Sequence, residues 1–224
     1  MLLHCSLVVL AFTAQDDASL RKSRDSQDRP ALEQQIAKLK AAAKPTDAES
    51  QYKVALAQSY LAEVAQEQRD KNAARAAAEA GMDPAKKAIG LKGDNAEYHR
   101  VLGTLCGQVI PANVLAGLKY GKCAQGEVET ALKLDPKLVN GYIAQGVGNY
   151  YLPSSFGGGV ELAIKSFEKA IALNAKSADA YVWLGIAQRK ANRNVEARKA
   201  FQKALELNPA RRWAKEQLDK TPAQ

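Results

Sequence analysis

The sequence contains one helical pattern twice, 34 residues apart, and this repeat restricts the fold more than any other feature. The pattern is a small residue, a phenylalanine four residues later and a second small residue three residues after that. It is filled first by Ala163, Phe167 and Ala170 and then by Ala197, Phe201 and Ala204. Residues spaced three and four apart share one face of an α-helix. A single hairpin of such helices cannot bury its apolar face alone, so two registered copies predict a stacked array.

The second copy extends into a complete helical hairpin. Tyr181, Leu184 and Gly185 stand on the preceding helix at fixed spacing, and Pro209 closes the unit. This pattern resembles the tetratricopeptide repeat (TPR) family, over residues 137–209 and in weaker form upstream to about residue 48. The resemblance implies an all-α fold, a right-handed superhelical solenoid of helical hairpins, in which Ala and Gly allow close helix contacts.

Composition and periodicity divide the chain into four parts. We expect a signal peptide at 1–15, a disordered linker in the polar segment 16–29, an N-terminal helix at 30–46 and the solenoid at 47–220. Within the solenoid, the repeats are placed at about 48–94, 96–136, 138–175 and 178–209, followed by a capping helix at 210–219. The alanine-rich stretch 73–91 is compatible with one kinked helix or with two helices.

The first 14 residues are apolar, with His4 as the one ionisable side chain, and they end in small residues. This is typical of the apolar core of a secretory signal peptide, and it is too short to span a bilayer. We therefore expect an extracytoplasmic protein, periplasmic or secreted, without an integral membrane span. Because no basic residue precedes the apolar run, a cytoplasmic location is the alternative.

Two cysteines, Cys106 and Cys123, fall in the second repeat hairpin, one late in its first helix and one early in its second. An antiparallel hairpin can bring such positions together, and an oxidising compartment would favour a disulfide. The alternative is that both are small buried residues. This hairpin also carries nine inserted residues, since Gly103 and Ala124 are 21 apart whereas Gly185 and Ala197 are 12 apart.

The sequence offers little for catalysis or for metal binding. The two histidines, His4 and His99, are far apart, and no nucleophile, metalloprotease or phosphate-loop motif is present. We expect no enzymatic activity, no cofactor and no metal. The net charge is +8, of which +6 comes from residues 176–220, where 11 basic residues oppose 5 acidic ones. This basic region favours a solvated face or an acidic partner; nucleic acid is not expected, because no binding motif accompanies it.

The TPR resemblance also implies a binding surface, since first-helix residues line the concave side in that family. The matching positions predict a protein or peptide partner that contacts Arg100, Asn140, Tyr150, Tyr151, Val182, Arg189 and Lys190. In this prediction Tyr150 and Tyr151 lie beside Arg189 in an amphipathic pocket. The alternative is that one of these tyrosines packs against the loop at Phe156.

The expected function is a non-enzymatic scaffold for protein–protein interaction. A second interpretation starts from Pro153, Gly157 and Gly158, which precede the Ala163–Phe167–Ala170 helix. This arrangement resembles, weakly, the T-component of periplasmic TRAP-type transporters, and it would imply a solute-binding protein or a small ligand as partner. A deep pocket that contains Tyr150, Tyr151 and Arg189 would favour the second interpretation over an open groove. The sequence does not indicate an oligomeric state.

Overall fold

The computed structural model describes residues 17–112 and 114–223, and every regular element within these ranges is helical. The predicted signal peptide at residues 1–15 lies outside the described residues. The helices are α1 (17–25), α2 (Arg29–Ala42), α3 (Ala48–Glu67), α4 (Lys71–Leu91), α5 (Ala96–Val109), α6 (Val114–Leu134), α7 (Val139–Tyr151), α8 (Val160–Leu173), α9 (Ala178–Lys190), α10 (Asn194–Leu207) and α11 (Arg212–Asp219). Short 3₁₀ turns lie at Ile110–Ala112 and Ser154–Phe156.

Successive helices pair into antiparallel hairpins that stack side by side. Each second helix packs against the first helix of its own hairpin and against the first helix of the next. The first helices α3, α5, α7 and α9 also contact one another in a row. The first helices therefore form the inner layer of a curved, superhelical solenoid, and the second helices form its outer layer.

Short polar side chains set the beginnings of many of these helices. Asp28, Asp70 and Ser177 each accept a hydrogen bond from the backbone N–H three residues later, and Asp47 and Asn95 accept one from two residues later. Such caps satisfy backbone donors that have no partner inside the helix. The helix starts are thus determined locally by the sequence.

The repeated phenylalanines join the two helices of a hairpin. Phe167 and Phe201 are both fully buried, and each ring lies against a glycine of the preceding first helix, Gly146 and Gly185 respectively. A Cβ atom added at Gly185 would lie 2.7 Å from Cε1 of Phe201. The absence of a side chain at these glycines is what allows the ring to enter the hairpin.

The polar segment 16–29 differs from its prediction as a disordered linker. Residues 17–25 form helix α1, which pairs with α2 into an additional hairpin ahead of the predicted repeats. Leu20, 2% exposed, packs with Leu32, Ile36 and Val64. The composition was misleading because two charged residues of this segment, Arg24 and Asp25, are also buried, in an ion cluster described below.

The long helix α4 resolves the ambiguity in stretch 73–91. It runs without interruption through Pro84, which lies in its interior. Helices α4 and α6 each have 21 residues, whereas α8 and α10 have 14. The nine inserted residues of the second predicted repeat therefore lengthen its outer helix, and two long outer helices stand in the N-terminal half of the array.

Candidate functional site

An ion cluster joins the first and the last parts of the solenoid. We define it as the six side chains Arg24, Asp25, Glu63, Glu67, Asp179 and Arg211, which come from α1, α3, α9 and the residue before α11. Arg211 is 1% exposed. Its Nη2 atom donates to Glu63 at 2.6 Å, and its Nη1 atom donates to Glu67 at 3.2 Å. These contacts join residues 144 and more positions apart in the sequence.

Arg24 occupies the other end of the ion cluster. Its guanidinium donates to Asp179 at 2.8 Å and to Asp25 at 2.7 Å, and it lies 5.1 Å from the ring centroid of Tyr60. Asp25 in turn accepts a hydrogen bond of 2.8 Å from the side-chain amide of Asn208. Helix α1 is therefore held against the C-terminal hairpin as well as against α3.

Burial and charge act in opposite directions on the carboxyl groups of the ion cluster. Burial raises the pKa of Glu67 to about 7, although Arg211 opposes this rise. For Asp179, burial also acts to raise the pKa, but Arg24 and Arg211 outweigh it and hold the pKa below its usual range. The cluster holds four carboxyl groups and two guanidinium groups. Protonation of Glu67 would therefore reduce its excess of negative charge.

A second feature is a row of aromatic rings along the inner helices of the C-terminal half. We call Tyr151, Tyr150, Trp183 and Trp213 the aromatic strip; its rings come from α7, α9 and α11. Successive ring centroids are 5.0, 6.3 and 5.2 Å apart, within the range of favourable edge-to-face contacts. Tyr151 is 59% exposed, and the other three rings are partly buried. Tyr151 is thus the exposed ring of the strip, and the other three rings are only partly accessible to solvent.

Basic side chains accompany the aromatic strip at both ends. The Lys190 ammonium lies 4.1 Å from the ring centroid of Tyr150 and donates a hydrogen bond of 2.8 Å to the Tyr150 carbonyl oxygen. The Arg211 guanidinium lies 5.4 Å from the ring centroid of Trp213, so this residue of the ion cluster contacts the aromatic strip. Burial raises the pKa of the Tyr150 hydroxyl, and Arg189 opposes this effect. Tyr150 therefore stays a neutral hydrogen-bond donor.

The predicted binding residues are not all placed as expected. Tyr150, Tyr151 and Lys190 lie together, but Arg189 bonds elsewhere: its guanidinium donates to Gln217 and to Thr221 beyond α11. The reason is that the capping helix packs across the end of α9 and supplies carbonyl and hydroxyl oxygens to this arginine. Arg189 therefore binds the segment after α11 to α9, and these oxygens already take up its N–H donors.

Three other predicted residues lie outside the aromatic strip. Val182 is fully buried and belongs to the core cluster around Phe201, because α11 covers this side of α9. Arg100 is 9% exposed and donates a hydrogen bond of 2.6 Å to Glu97 on its own helix. Asn140 is exposed at the start of α7. Burial excludes Val182 from contact with a partner in this conformation.

Cys106 and Cys123 form a disulfide, with their Cα atoms 6.0 Å apart. The bond joins α5 to α6, and Cys106 is almost fully buried. His99 and Glu127 make a second link between the same two helices, with 2.6 Å between Nδ1 and Oε2. The two helices of this lengthened hairpin are thus linked at two points.

The residues that sequence reasoning missed are Arg24, Trp183, Arg211 and Trp213. Arg211 and Trp213 follow the last repeat, where the periodic pattern has ended, so no spacing marked them. Within the described residues, no group of three or more His, Cys, Asp or Glu side chains is arranged to hold a metal ion. No helix in the same ranges is both long enough and apolar enough to cross a membrane.

Comparisons with known proteins agree with this architecture. Residues 178–211 match the family model of the tetratricopeptide repeat. No curated protein sequence matches the chain significantly. Many solved structures resemble it.

A thermophilic TPR protein from Thermus thermophilus is similar with a TM-score of 0.57 and 18% identity, over 94% of each chain. The HusA haemophore from Porphyromonas gingivalis is similar with a TM-score of 0.54 and 19% identity, over 86% of this chain and 92% of that one. YrrB, described as a TPR protein with an unusual peptide-binding site, aligns with a TM-score of 0.45 and 15% identity, over 85% and 91%. At such identities the likeness concerns the fold alone. The chain has the fold of TPR proteins and carries a recognisable repeat of that type.

Proposed function

We propose that this TPR solenoid is a non-enzymatic scaffold that binds an extended segment of a partner protein along the aromatic strip. The fold is one that generally serves protein–protein interaction. The observation that carries the proposal is the row of four rings across three successive inner helices, with one ring more than half exposed. Partly exposed aromatic residues on a rigid scaffold are enriched where binding energy is concentrated.

The charge around the aromatic strip indicates the chemistry of the partner segment. The C-terminal region carries a net charge of +6, and the ammonium of the exposed Lys190 lies over the Tyr150 ring of the strip. An extended segment with apolar side chains and acidic neighbours would match both properties. Nucleic acid is not part of the proposal.

The transporter-related interpretation remains the alternative. It required a deep pocket that contains Tyr150, Tyr151 and Arg189. Two cavities in the described part of the chain, of about 500 and 480 Å³, are lined by other residues. This distribution favours a partner that lies along a surface over a small ligand enclosed at these side chains.

We further propose that the protein acts outside the cytoplasm. The apolar segment at residues 1–14 has the character of an export signal, and the Cys106–Cys123 disulfide suits an oxidising compartment. N-terminal sequencing of the protein isolated from its native cells tests the proposal. A mature chain that begins near residue 15 would support export, and a chain that retains Met1 would contradict it.

The binding surface is tested with a double variant and a matched control. Tyr151→Ala combined with Lys190→Ala removes the exposed ring and its neighbouring cation. Phe156→Ala removes another exposed aromatic side chain, 74% exposed, that is not one of the four rings. Affinity capture from the extracytoplasmic fraction identifies bound proteins, and fluorescence anisotropy with peptides from them measures affinity.

We expect the double variant to bind such peptides at least tenfold more weakly, because strongly binding aromatic side chains contribute 2 kcal/mol or more, roughly a thirtyfold change. The Phe156 variant should bind as the wild type does. Intrinsic fluorescence adds an independent readout, since Trp183 and Trp213 are the only two tryptophans in the chain. Equal affinity of the double variant and the wild type would refute the proposed surface.

A further inference from the structure

A cavity of about 500 Å³ lies between α4, α5 and α6, away from the aromatic strip. Its walls are mainly apolar and include Met82, Ile89, Leu102, Tyr120 and the Cys106–Cys123 disulfide. This volume falls in the range of small-molecule sites in proteins, about 300–1,000 Å³. Since its walls come from three helices, the cavity does not depend on the position of a single loop.

The cavity exists because the second predicted repeat is longer than a regular one. One wall is formed by Lys119 and Tyr120, which belong to the segment lengthened by the nine-residue insertion. The opposite wall is formed by Met82, Lys86 and Ile89, which share one face of the equally long α4. The outer helix of a regular repeat would lack the N-terminal part of α6 that contains Lys119 and Tyr120. The cavity would then have no wall on the α6 side at these residues.

The disulfide and a neighbouring polar pair hold the wall in place. Cys106 and Cys123 fix α6 to α5 at the base of the cavity, and His99 contacts Glu127 at 2.6 Å close by. Glu127 is the one carboxylate among the residues that line the cavity, and it already has this partner. These two contacts thus hold α6 against α5 beside the apolar cavity.

Two cations stand among the cavity-lining residues. Lys86 and Lys119 are exposed residues on opposite walls, and the Lys119 ammonium lies 5.0 Å from the ring centroid of Tyr120. The lining therefore contains two lysines and one carboxylate, and that carboxylate contacts His99. The cavity therefore offers an apolar interior together with a net positive rim.

We propose that this cavity binds a monomeric straight-chain fatty carboxylate. Its hydrocarbon chain would lie against Met82, Ile89 and Leu102, and its carboxylate would pair with Lys86 and Lys119. A flexible apolar chain suits a space bounded by a methionine, branched aliphatic side chains and a disulfide, and one negative charge complements the rim. This inference is independent of the aromatic strip, which lies on other helices.

The test uses the full, disulfide-bonded protein and decanoate below its micelle concentration, with binding measured by isothermal titration calorimetry. We expect saturable binding of one decanoate per chain. The Lys86→Ala/Lys119→Ala double variant should bind decanoate at least about tenfold more weakly, since charge-assisted contacts exceed 1.4 kcal/mol. Lys122→Ala, an exposed lysine of α6 that does not line the cavity, is the matched control and should bind as the wild type does.

Ligands with a shorter chain or without a charge test separately the apolar walls of the cavity and its two lysines. Octanoate should bind about fifteenfold more weakly than decanoate, because each buried methylene contributes roughly fourfold. Decanol, which lacks the charge, should bind the double lysine variant and the wild type equally. Circular dichroism confirms that each variant is folded. The proposal is overturned if decanoate shows no saturable binding, or if the double variant binds it as tightly as the Lys122→Ala protein does.

Discussion

Replacement of Arg211 by alanine is the most direct test of the ion cluster. The side chain is 1% exposed and contacts the carboxyl groups of Glu63, Glu67 and Asp179. In Arg211→Ala, one guanidinium remains for four carboxyl groups, of which Glu67, with 1% of its side chain exposed, is the most deeply buried. Removal of one partner from a buried ion pair typically costs about 3–5 kcal/mol, because the remaining charge is left without compensation. We expect a loss of stability of about this size.

Chemical and thermal unfolding measure this loss. For a chain of this length, 1 kcal/mol corresponds to roughly 2–4 °C in Tm, so Arg211→Ala should lower Tm by about 6–20 °C. The loss should be smaller at pH 5 than at pH 8, since protonation of the carboxyl groups reduces their mutual repulsion. Urea titrations at both pH values give the two free energies of unfolding.

Arg212→Ala provides the control. Arg212 is the next residue, but its side chain is 64% exposed and its ion pair with Glu216 is at the surface. Exposed pairs contribute at most about 1 kcal/mol, so this variant should remain close to the wild type. If Arg211→Ala lost less than about 1 kcal/mol, or no more than Arg212→Ala, the ion cluster would not stabilise the fold as argued.

Two further predictions concern the ion cluster and the hairpin contacts. Burial raises the pKa of Glu67 to about 7, above its unfolded value near 4.5, so the stability that protonated Glu67 contributes is fully present below pH 4.5 and is lost as the pH rises through 7. Glu67→Gln should therefore lose less stability than the wild type between pH 5 and pH 8 in urea titrations; an unchanged pH dependence would contradict this. Gly185→Ala should cost about 1–3 kcal/mol, because the added methyl group would collide with the buried Phe201 ring. Gly126→Ala, on the exposed face of α6 with open space around it, should instead stabilise by up to about 1 kcal/mol, and calorimetry showing equal effects of the two alanines would refute the close-contact argument.

The predictions that held rest on local sequence patterns. The registered phenylalanines and glycines predicted stacked hairpins, and the chain has that fold, since the spacing of residues such as Gly185 and Phe201 determines how closely two adjacent helices approach. The nine-residue insertion counted between Gly103 and Ala124 accounts for the greater length of α6. Such features depend on residues close together in the chain and can therefore be predicted from the sequence.

The features that were missed depend on residues far apart in the chain. Arg24 contacts Asp179, which lies 155 positions later in the sequence. No periodic pattern predicts a contact between residues so far apart in the chain. For the same reason the polar composition of residues 17–25 suggested disorder, although Leu20 and Arg24 are both buried. The bond of Arg189 to Gln217 was not predicted, because the repeat spacing does not indicate which side chains of the last helix lie against α9.

The ion cluster also bears on how the molecule unfolds. In a linear array each unit contacts only its neighbours, so terminal units can fray while the centre stays folded. Here the first helix and the segment before the last helix meet in the ion cluster. Detachment of either end would therefore break ion pairs that involve the other end. The two ends of the solenoid are therefore linked to each other. We expect the chain to unfold in one cooperative transition instead of unit by unit from its ends.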